Sequence, residues 1–130
     1  MSETSSRLII KADHQVLMSL GDTGSIKFIG GRMRAHETPR QAAIREAREE
    51  GGVDLSPSDL YELPYQDNDP KRHSYWFGVD TYKFAAELLN IGDDVLSLFS
   101  VSLSNVEDQL TYDNWKEHWR ENLLPALLGH

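Results

Sequence analysis

The residues best suited to do chemistry in this chain are three glutamates in one short segment. Glu46, Glu49 and Glu50 have the i, i+3, i+4 spacing that places side chains on one face of an α-helix. Carboxylates gathered on one face repel one another, and at the C-terminal end of a helix the macrodipole disfavours anions as well. A bound divalent cation would relieve both effects. The pattern therefore predicts a metal site built from carboxylate oxygens.

The residues before the glutamates predict the helix that carries them. Thr38 is a favourable N-cap, Pro39 suits the first helical position, and Gln41 completes a capping box with Thr38. A Gly-Gly pair follows the last glutamate and supplies the left-handed residue that ends a helix. We therefore expect a helix from Pro39 to Glu50, with the three carboxylates in its last turn and a half.

An exposed, charge-rich helix is the alternative interpretation of this segment. Arg45 and Glu49 have the spacing of an ordinary i,i+4 ion pair, which contributes only about 0.2–0.5 kcal/mol on a helix surface. Three details favour a site instead. The acidic residues lie at the unfavourable end of the helix, the segment follows a Gly-Gly turn after an apolar run, and Glu37 precedes the cap.

The segment from Gly31 to Val53 resembles the Nudix box, G-x5-E-x7-R-E-U-x-E-E-x-G-U, in which U is an aliphatic residue. Every specified position is filled, although Ala47 is small for its place. The matching residues are Gly31, Glu37, Arg45, Glu46, Ala47, Glu49, Glu50, Gly52 and Val53. The resemblance implies an α/β fold, a Nudix-like α/β/α sandwich with a mixed sheet between helices. It also implies hydrolysis of a nucleoside diphosphate linked to a further group X.

The resemblance suggests roles for the charged residues of the box. Glu46, Glu49 and Glu50 would hold Mg²⁺, or Mn²⁺, over a diphosphate, because hard oxygen ligands select these ions. One of the glutamates would act as general base, and we favour Glu49. We place Glu49, Glu46 and Arg45 in the catalytic machinery, with Arg45 also paired to Glu37 so that the loop is braced against the helix.

Residues on the loop before the helix are candidates for substrate binding. Gly31 brings backbone close to metal or phosphate because it has no side chain. Arg32 and Arg34 lie on the loop facing the site, where their guanidinium groups could hold phosphate oxygens. Ordinary solvation of the loop explains the two arginines equally well.

A further metal ligand outside the box follows from the resemblance alone. Family members often add a distal carboxylate from a late loop, and Asp93, with Asp94 beside it, precedes a predicted strand at a suitable place. Glu107 is a weaker candidate. The alternative is that both aspartates are simply residues of an acidic turn, where Asp is common.

The loop of the box departs from the family pattern at two positions. His36 stands where a glycine is usual before the first glutamate, and Ile29 replaces a frequent proline. Both changes leave the carboxylate set intact. They leave open the conformation of the loop and its contacts with substrate.

Composition narrows the class of protein and partner. The chain has 130 residues, which predicts one domain spanning 1–130, and it contains no cysteine for disulfides or thiolate metal sites. A net charge of −8 argues against a nucleic-acid backbone as ligand. No stretch has transmembrane length and the N-terminus is short and polar, so we expect a cytoplasmic location without membrane partners. A small nucleotide is the expected ligand, and a homodimer remains open.

The rest of the chain predicts strands and a final helix around the box. A polar loop is expected from Gln66 to Arg72, and Asn114 is expected to cap the last helix, whose apolar stripe includes Trp115 and Trp119. Trp76 is expected in the core rather than against a nucleobase. The predicted strands are Arg7 to Ala12, Gln15 to Leu20, Ser25 to Ile29, Leu60 to Tyr65, His73 to Phe84 and Val95 to Val101.

Three functions follow from these observations. The favoured one is Mg²⁺-dependent cleavage of a nucleoside diphosphate linked to X, with a nucleoside triphosphate, modified or not, as the default substrate. A non-catalytic nucleotide sensor or scaffold of the same fold is the first alternative, although such proteins usually lack one of the box glutamates. A sugar-nucleotide hydrolase is the second.

Overall fold

A mixed β-sheet forms the centre of the computed structural model, which describes residues 3–21, 23–69, 72–81 and 95–129. The strands of this sheet are β1 (Glu3–Ala12), β2 (Gln15–Gly21), β3 (Ile26–Lys27), β4 (Ile29–Arg32), β5 (Tyr61–Asp69), β6 (Arg72–Thr81) and β7 (Val95–Ser102). β1 runs parallel to β6 along its whole length, whereas β5 and β6 are antiparallel. The sheet is therefore mixed, as expected.

The first hairpin opens away from its turn, and this divergence shapes the sheet. β1 and β2 pair only beside the turn, at Lys11 with Val16 and Ala12 with Gln15. Beyond those pairs β1 takes β4 as its neighbour and β2 takes β7. The sheet thus gains room for the glycine-containing strand β4 directly beside β1.

Helices cover both faces of the sheet. α1 (Pro39–Gly51) lies on one face; α2 (Val106–Gln109), α3 (Asp113–His118) and α4 (Leu124–Leu128) follow β7. A wider helical turn, Trp119–Leu123, joins α3 to α4. Pro125 in the first turn of α4 has no N–H to donate to the carbonyl four residues earlier, so the regular helical bonding is interrupted there. Within the described ranges no helix is both long and apolar enough to cross a bilayer.

Two apolar clusters, one on each side of the sheet, hold the layers together. Successive residues of a strand point to opposite faces, so Leu8 packs toward Ala43 and Ala47 of α1 while Ile9 packs on the other side. That other side also holds Trp119 and Trp76, and Trp76 is only 2% exposed. The predicted core position of Trp76 is confirmed.

The strand expected from Ser25 to Ile29 is divided in two. β3 pairs with β2 and β4 pairs with β1, and Phe28 lies between them, fully buried. The break is required because β1 and β2 have diverged, so the chain must change partners between β3 and β4.

Two other predictions about local structure are wrong. The loop expected from Gln66 to Arg72 is largely strand, because β5 continues to Asp69 and β6 begins at Arg72. Pairing with a neighbouring strand satisfies the backbone there whatever the polarity of the side chains. Asn114 does not cap the last helix, since α3 already begins at Asp113 and has no side-chain cap. Of the strand expected from His73 to Phe84, residues 82–84 lie outside the described part of the chain.

His118 is buried between the sheet and the last helices and is held in its neutral form. It is 2% exposed, its Nε2 lies 3.0 Å from the Pro64 carbonyl oxygen, and its Nδ1 lies 3.2 Å from the side-chain nitrogen of Asn122. Because a carbonyl can only accept, Nε2 must carry the proton and Nδ1 accepts from Asn122. Burial lowers the pKa of His118.

We expect the stability of the fold to decrease as pH falls below about 6.5, the ordinary pKa of histidine. Below that pH, His118 is protonated in the unfolded chain. In the folded chain it stays neutral until the pH falls to its own lowered pKa. The loss approaches about 1.4 kcal/mol per pH unit. Denaturant midpoints measured between about pH 5 and pH 8 should give a flatter profile for His118→Gln. His14→Gln is the control, because the His14 side chain is 82% exposed, and an unchanged slope in His118→Gln would contradict the assignment.

Candidate active site

The helix that carries the glutamates begins and ends as its sequence predicts. Thr38 Oγ1 accepts from the Gln41 backbone N–H at 3.1 Å, and Gln41 Oε1 accepts from the Thr38 N–H at 2.9 Å, which completes the capping box. α1 ends one residue later than expected, at Gly51, and Gly52 takes the left-handed conformation with φ 65°. At the other end of α1, Ser6 Oγ donates to the Pro39 carbonyl at 2.7 Å and ties the helix to β1.

Two glycines of β4 allow the end of α1 to approach the sheet. Gly30 has φ +152°, and a Cβ there would overlap the Ser6 carbonyl oxygen and lie 2.8 Å from Arg7 Cα. A Cβ on Gly31 would lie 2.7 Å from Glu46 Oε1. Gly31 therefore makes room for the Glu46 carboxylate.

Glu46 and Glu50 form a close pair of carboxyl groups at the end of α1. Glu50 is only 7% exposed, is hydrogen-bonded to Glu46, and accepts from the Gly30 backbone N–H at 3.3 Å. Burial, together with the neighbouring Glu46, raises the pKa of Glu50 to about 8. At neutral pH Glu50 therefore keeps its proton, because burial and the adjacent Glu46 both disfavour its charged form.

Arg45 joins the loop to the helix end by binding three of the glutamates, Glu37, Glu46 and Glu49. Its guanidinium donates to both oxygens of Glu37, at 2.6 and 3.0 Å, and to Glu46 Oε1 at 2.9 Å. It also donates to Glu49 Oε2 at 3.1 Å and to the Arg32 carbonyl at 3.0 Å. The expected brace between Glu37 and Arg45 is confirmed. The Arg45 hydrogen bond lowers the pKa of Glu37 to about 2.

Glu49 is the most accessible of the three glutamates. Its side chain is 46% exposed and is held by Arg34 Nη2 at 3.1 Å as well as by Arg45. Arg34 is itself 64% exposed, so its side chain can leave Glu49 at little cost. The backbone N–H of Arg34 donates to Glu37 Oε1 at 2.7 Å and fixes the loop around that arginine. Arg32 is exposed beside this group.

The three glutamates come together less closely than their helical spacing predicts. Among the described residues, no three carboxylate or imidazole side chains converge as a ready-made metal cage. Glu46 and Glu50 are paired, whereas Glu49 is turned toward the arginines. The donor set nonetheless fits a hard divalent cation, because carboxylate oxygens are its preferred ligands.

A family model of the NUDIX domain matches residues 7–123 of the chain. The chain belongs to the Nudix family. The box resemblance, the α/β class and the expected family are thereby confirmed. No curated protein matches the sequence.

Solved structures share the Nudix fold with this chain at low sequence identity. A bifunctional NMN adenylyltransferase/ADP ribose pyrophosphatase of Francisella tularensis, complexed with AMP and a manganese ion, has a TM-score of 0.76 at 18% identity, over 99% of this chain and 42% of that one. A C. elegans Ap4A hydrolase has a TM-score of 0.74 at 14% identity, over 97% and 99%. The E. coli dihydroneopterin triphosphate pyrophosphohydrolase has a TM-score of 0.71 at 15% identity, over 91% and 92%. The chain spans less than half the length of some of these Nudix relatives, the Francisella protein among them.

The candidates for a metal ligand outside the Nudix box have different outcomes. Asp93 and Asp94, the candidates for a distal metal ligand, lie outside the described residues. Glu107, the weaker candidate, is in α2 and pairs with Arg120 at 3.0 Å. Its carboxylate is therefore engaged on the helical layer that follows β7.

The Nudix loop keeps a left-handed residue at the position where its usual glycine is missing. His36 has φ 69° and is exposed. A side chain with a Cβ resists this conformation, so the loop holds some backbone strain in place of the freedom of glycine.

We expect His36→Gly to stabilise the protein by about 0.5–1 kcal/mol, because relief of the left-handed strain outweighs the entropy that glycine adds to the unfolded chain. Thermal or denaturant unfolding measures the change. Asp13→Gly is a matched control, since Asp13 also has a positive φ, 56°, but lies in the first hairpin turn. Destabilisation by His36→Gly would mean that the imidazole makes a contact worth more than the strain.

Arg7 is a charged residue near the site that sequence analysis placed only at the start of a strand. It pairs with Gly30 across β1 and β4, and Glu50 and Glu46 act on it electrostatically. The signal in the sequence is a single arginine before three consecutive aliphatic residues. Nothing local distinguishes it from an ordinary residue at a strand end.

Proposed function

We propose that this Nudix protein hydrolyses a nucleoside diphosphate linked to a group X with the help of Mg²⁺ or Mn²⁺. The observation that carries the proposal is the close Glu46–Glu50 carboxyl pair at the end of α1, which lies beside a loop with two exposed arginines. Carboxylate oxygens are the ligands that Mg²⁺ and Mn²⁺ prefer. When bound, the cation supplies positive charge against the diphosphate oxygens and increases the acidity of the attacking water.

The residues of the chain then have distinct tasks. Glu46 and Glu50 would hold the cation, and Glu49 would accept the proton of the water as the water oxygen bonds to phosphorus and the bridging P–O bond breaks. The products are two phosphate monoesters, or a monoester and a second phosphate-containing product. The leaving oxygen keeps the electron pair of the broken P–O bond as negative charge. Arg45 positions Glu46 and Glu49 through the bonds already described, so we assign it a positioning role and not contact with substrate.

The exposed arginines of the loop are suited to bind phosphate oxygens. Arg34 exchanges an exposed ion pair with Glu49 for a phosphate, which frees Glu49 for the water at the same time. Arg32 lies beside it in the same loop. Gly31 leaves space for Glu46, and we also keep it among the residues proposed to let the backbone approach phosphate.

Names of similar structures support a diphosphate substrate without selecting one. They are described as enzymes for ADP-ribose, Ap4A and dihydroneopterin triphosphate. Our default substrate is a nucleoside triphosphate. We also propose that the chain forms one domain and acts in the cytoplasm.

The direct test is a panel of nucleotides assayed for phosphate and monoester release with and without Mg²⁺. The panel contains nucleoside triphosphates, ADP-ribose, Ap4A and a sugar nucleotide. Release that requires the metal supports the proposal, and the preferred member identifies X. Tight binding without turnover of any member favours the sensor, whereas turnover of the sugar nucleotide alone favours that alternative.

We expect millimolar Mg²⁺ to raise the melting temperature, because a cation that binds only the folded form stabilises it by mass action. At a concentration 100 times the dissociation constant the gain is about 2.7 kcal/mol. Glu50→Gln should abolish most of this shift, since an amide cannot lose a proton to present a charged oxygen to the cation. Glu62→Gln is the control, because the Glu62 side chain is 82% exposed and lies near Arg40. An equal shift in the wild type and Glu50→Gln would count against Glu50 as a ligand.

A further inference from the structure

Arg7 in β1 is a largely buried cation that has no task in the proposed reaction. Part of its side chain reaches the surface, whereas Nε is buried and has no acceptor among the described residues. Nη1 donates to the Phe28 carbonyl at 3.4 Å, and Cζ lies 5.1 Å from the centroid of the Trp115 ring. The described carboxylates act on the guanidinium only from a distance, and none of them is hydrogen-bonded to it.

The charges that compensate Arg7 are those of the carboxyl pair. An arginine buried without an ion-pair partner costs free energy, because its guanidinium loses water and gains little in return. Burial accordingly lowers the pKa of Arg7, and the charges of Glu50 and Glu46 oppose that change. The attraction is mutual, so the charge of Arg7 acts on the pair as well.

Gly30 in β4 separates Arg7 from the carboxyl pair and keeps the two near each other. The Gly30 N–H donates to Glu50 Oε1 at 3.3 Å. Gly30 is also the register partner of Arg7, and the arginine side chain lies against it, since a Cβ added to Gly30 would be 2.6 Å from Arg7 Cδ. Arg7 therefore acts on the proposed metal ligands with one glycine between them.

The sign of this interaction depends on what binds at the pair. A divalent cation adds positive charge whether or not Glu50 is protonated beforehand, because the cation brings more charge than the proton it displaces. Like charges repel, so Arg7 disfavours a cation that arrives alone. When a diphosphate arrives as well, its negative charges cancel or exceed those of the cation, and the same arginine favours their joint binding.

We propose that Arg7 is a fixed counter-charge of the Glu46–Glu50 pair, which weakens the binding of a free divalent cation and favours a cation that enters together with a diphosphate. Arg7 touches neither the cation nor the substrate in this role. The inference rests on the proposed function, because it takes Glu46 and Glu50 to hold the metal. The site is then loaded by the metal–nucleotide complex and not by the metal first.

A purely structural role for Arg7 predicts the opposite change in metal binding. In that role its bond to the Phe28 carbonyl serves only to fix the chain ahead of Gly30. Loss of the bond would loosen the Gly30 N–H that holds Glu50 and would weaken metal binding. The direction of the change in affinity therefore distinguishes the two roles.

The test is a titration of the full chain with Mn²⁺ in the absence of nucleotide, at one neutral pH and low ionic strength, where screening is weakest. The electron paramagnetic resonance signal of free Mn²⁺ reports the bound fraction. Arg7→Met removes the charge and keeps an apolar stem, and we expect it to bind Mn²⁺ about threefold or more tightly than the wild type. Arg7→Gln should do the same while it keeps an N–H for the Phe28 carbonyl, and it serves alone if Arg7→Met unfolds.

A second titration measures the joint binding of cation and diphosphate. It uses calorimetry with the Mn²⁺ complex of methylenediphosphonate, a diphosphate analogue that resists hydrolysis because carbon replaces the bridging oxygen. Arg7→Met and Arg7→Gln are expected to bind this complex about threefold or more weakly than the wild type, the reverse of their change with Mn²⁺ alone.

Arg7→Lys and Lys11→Met are the control variants. Lysine keeps the charge, so Arg7→Lys should bind Mn²⁺ nearly as the wild type does. Lys11 is a partly buried cation of the same strand and the same face, and it pairs with Asp80 at 3.4 Å. Its replacement removes an equal charge roughly 13 Å along the strand and should hardly change the affinity for Mn²⁺. Denaturant midpoints check that every variant is folded.

Three results would each overturn the inference. They are Mn²⁺ binding by Arg7→Met and Arg7→Gln that is no tighter than in the wild type, equal tightening in Arg7→Lys or Lys11→Met, and unweakened binding of the Mn²⁺–methylenediphosphonate complex. No saturable Mn²⁺ binding by any variant would overturn the inference together with the metal site.

These titrations separate the inference from the proposed function because they require no turnover. A chain that shows the expected affinities but hydrolyses no nucleotide keeps the counter-charge and loses the proposed hydrolysis. A chain that hydrolyses diphosphates with a metal affinity independent of Arg7 keeps the proposed function and loses the counter-charge.

Discussion

Glu49→Gln is expected to lower kcat by roughly 100-fold or more while leaving the fold almost as stable as before. The amide cannot accept the proton of the attacking water, and it weakens the negative charge at the helix end. Stability changes little because the Glu49 side chain is 46% exposed and its ion pairs with Arg34 and Arg45 face solvent.

The measurement is kcat and KM with the best nucleotide of the panel at saturating Mg²⁺, together with a denaturant midpoint for each variant. Glu62→Gln is the matched control, since it neutralises another exposed glutamate near an arginine, outside the box. If Glu49→Gln turned over substrate as fast as the wild type, the general base would have to be another group. A rise in KM alone would assign Glu49 to binding.

Gly30→Ala is expected to destabilise the protein by about 3 kcal/mol or more, because the added carbon overlaps backbone that cannot move away. The overlap is with the Ser6 carbonyl oxygen and with Arg7 Cα at 2.8 Å, both in β1, which is held on its other side by β6. The positive φ of Gly30 adds backbone strain for any residue with a Cβ.

Gly24→Ala separates the two causes. Gly24 also has a positive φ, +84°, but among the described residues no atom beyond its chain neighbours lies within 4 Å of an added Cβ, so this variant should lose only about 1 kcal/mol. Urea or guanidinium unfolding of both variants gives the comparison. Similar losses at the two glycines would mean that strand β4 moves aside and that the close approach to β1 is not required.

Arg45 offsets most of the negative charge gathered at the end of α1. It binds Glu37, Glu46 and Glu49, and Arg34 adds a second ion pair to Glu49. The remaining carboxyl group, Glu50, has a raised pKa because it is buried beside Glu46. The conflict among like charges that the helical spacing predicts is thus reduced by neighbouring arginines and by the protonation of Glu50.

The local structure of the site could be predicted from the amino-acid sequence. The helix from Pro39, its capping box with Thr38, and the common face of the three glutamates all depend on residues within four positions of one another. Interactions of that range are set by the chain itself, so their outcome follows from spacing and residue type. The family pattern added the brace between Glu37 and Arg45, which the structure confirms.

Only the tertiary structure decided how those residues are used. It buries Glu50 and exposes Glu49, although both follow the same helical pattern, because Gly30 and its strand lie against one side of the helix end. It also brings Arg7 beside Trp76, residues far apart in the chain. Such contacts depend on which strands become neighbours, and the divergence of β1 from β2 that determines this has no local signature in the sequence.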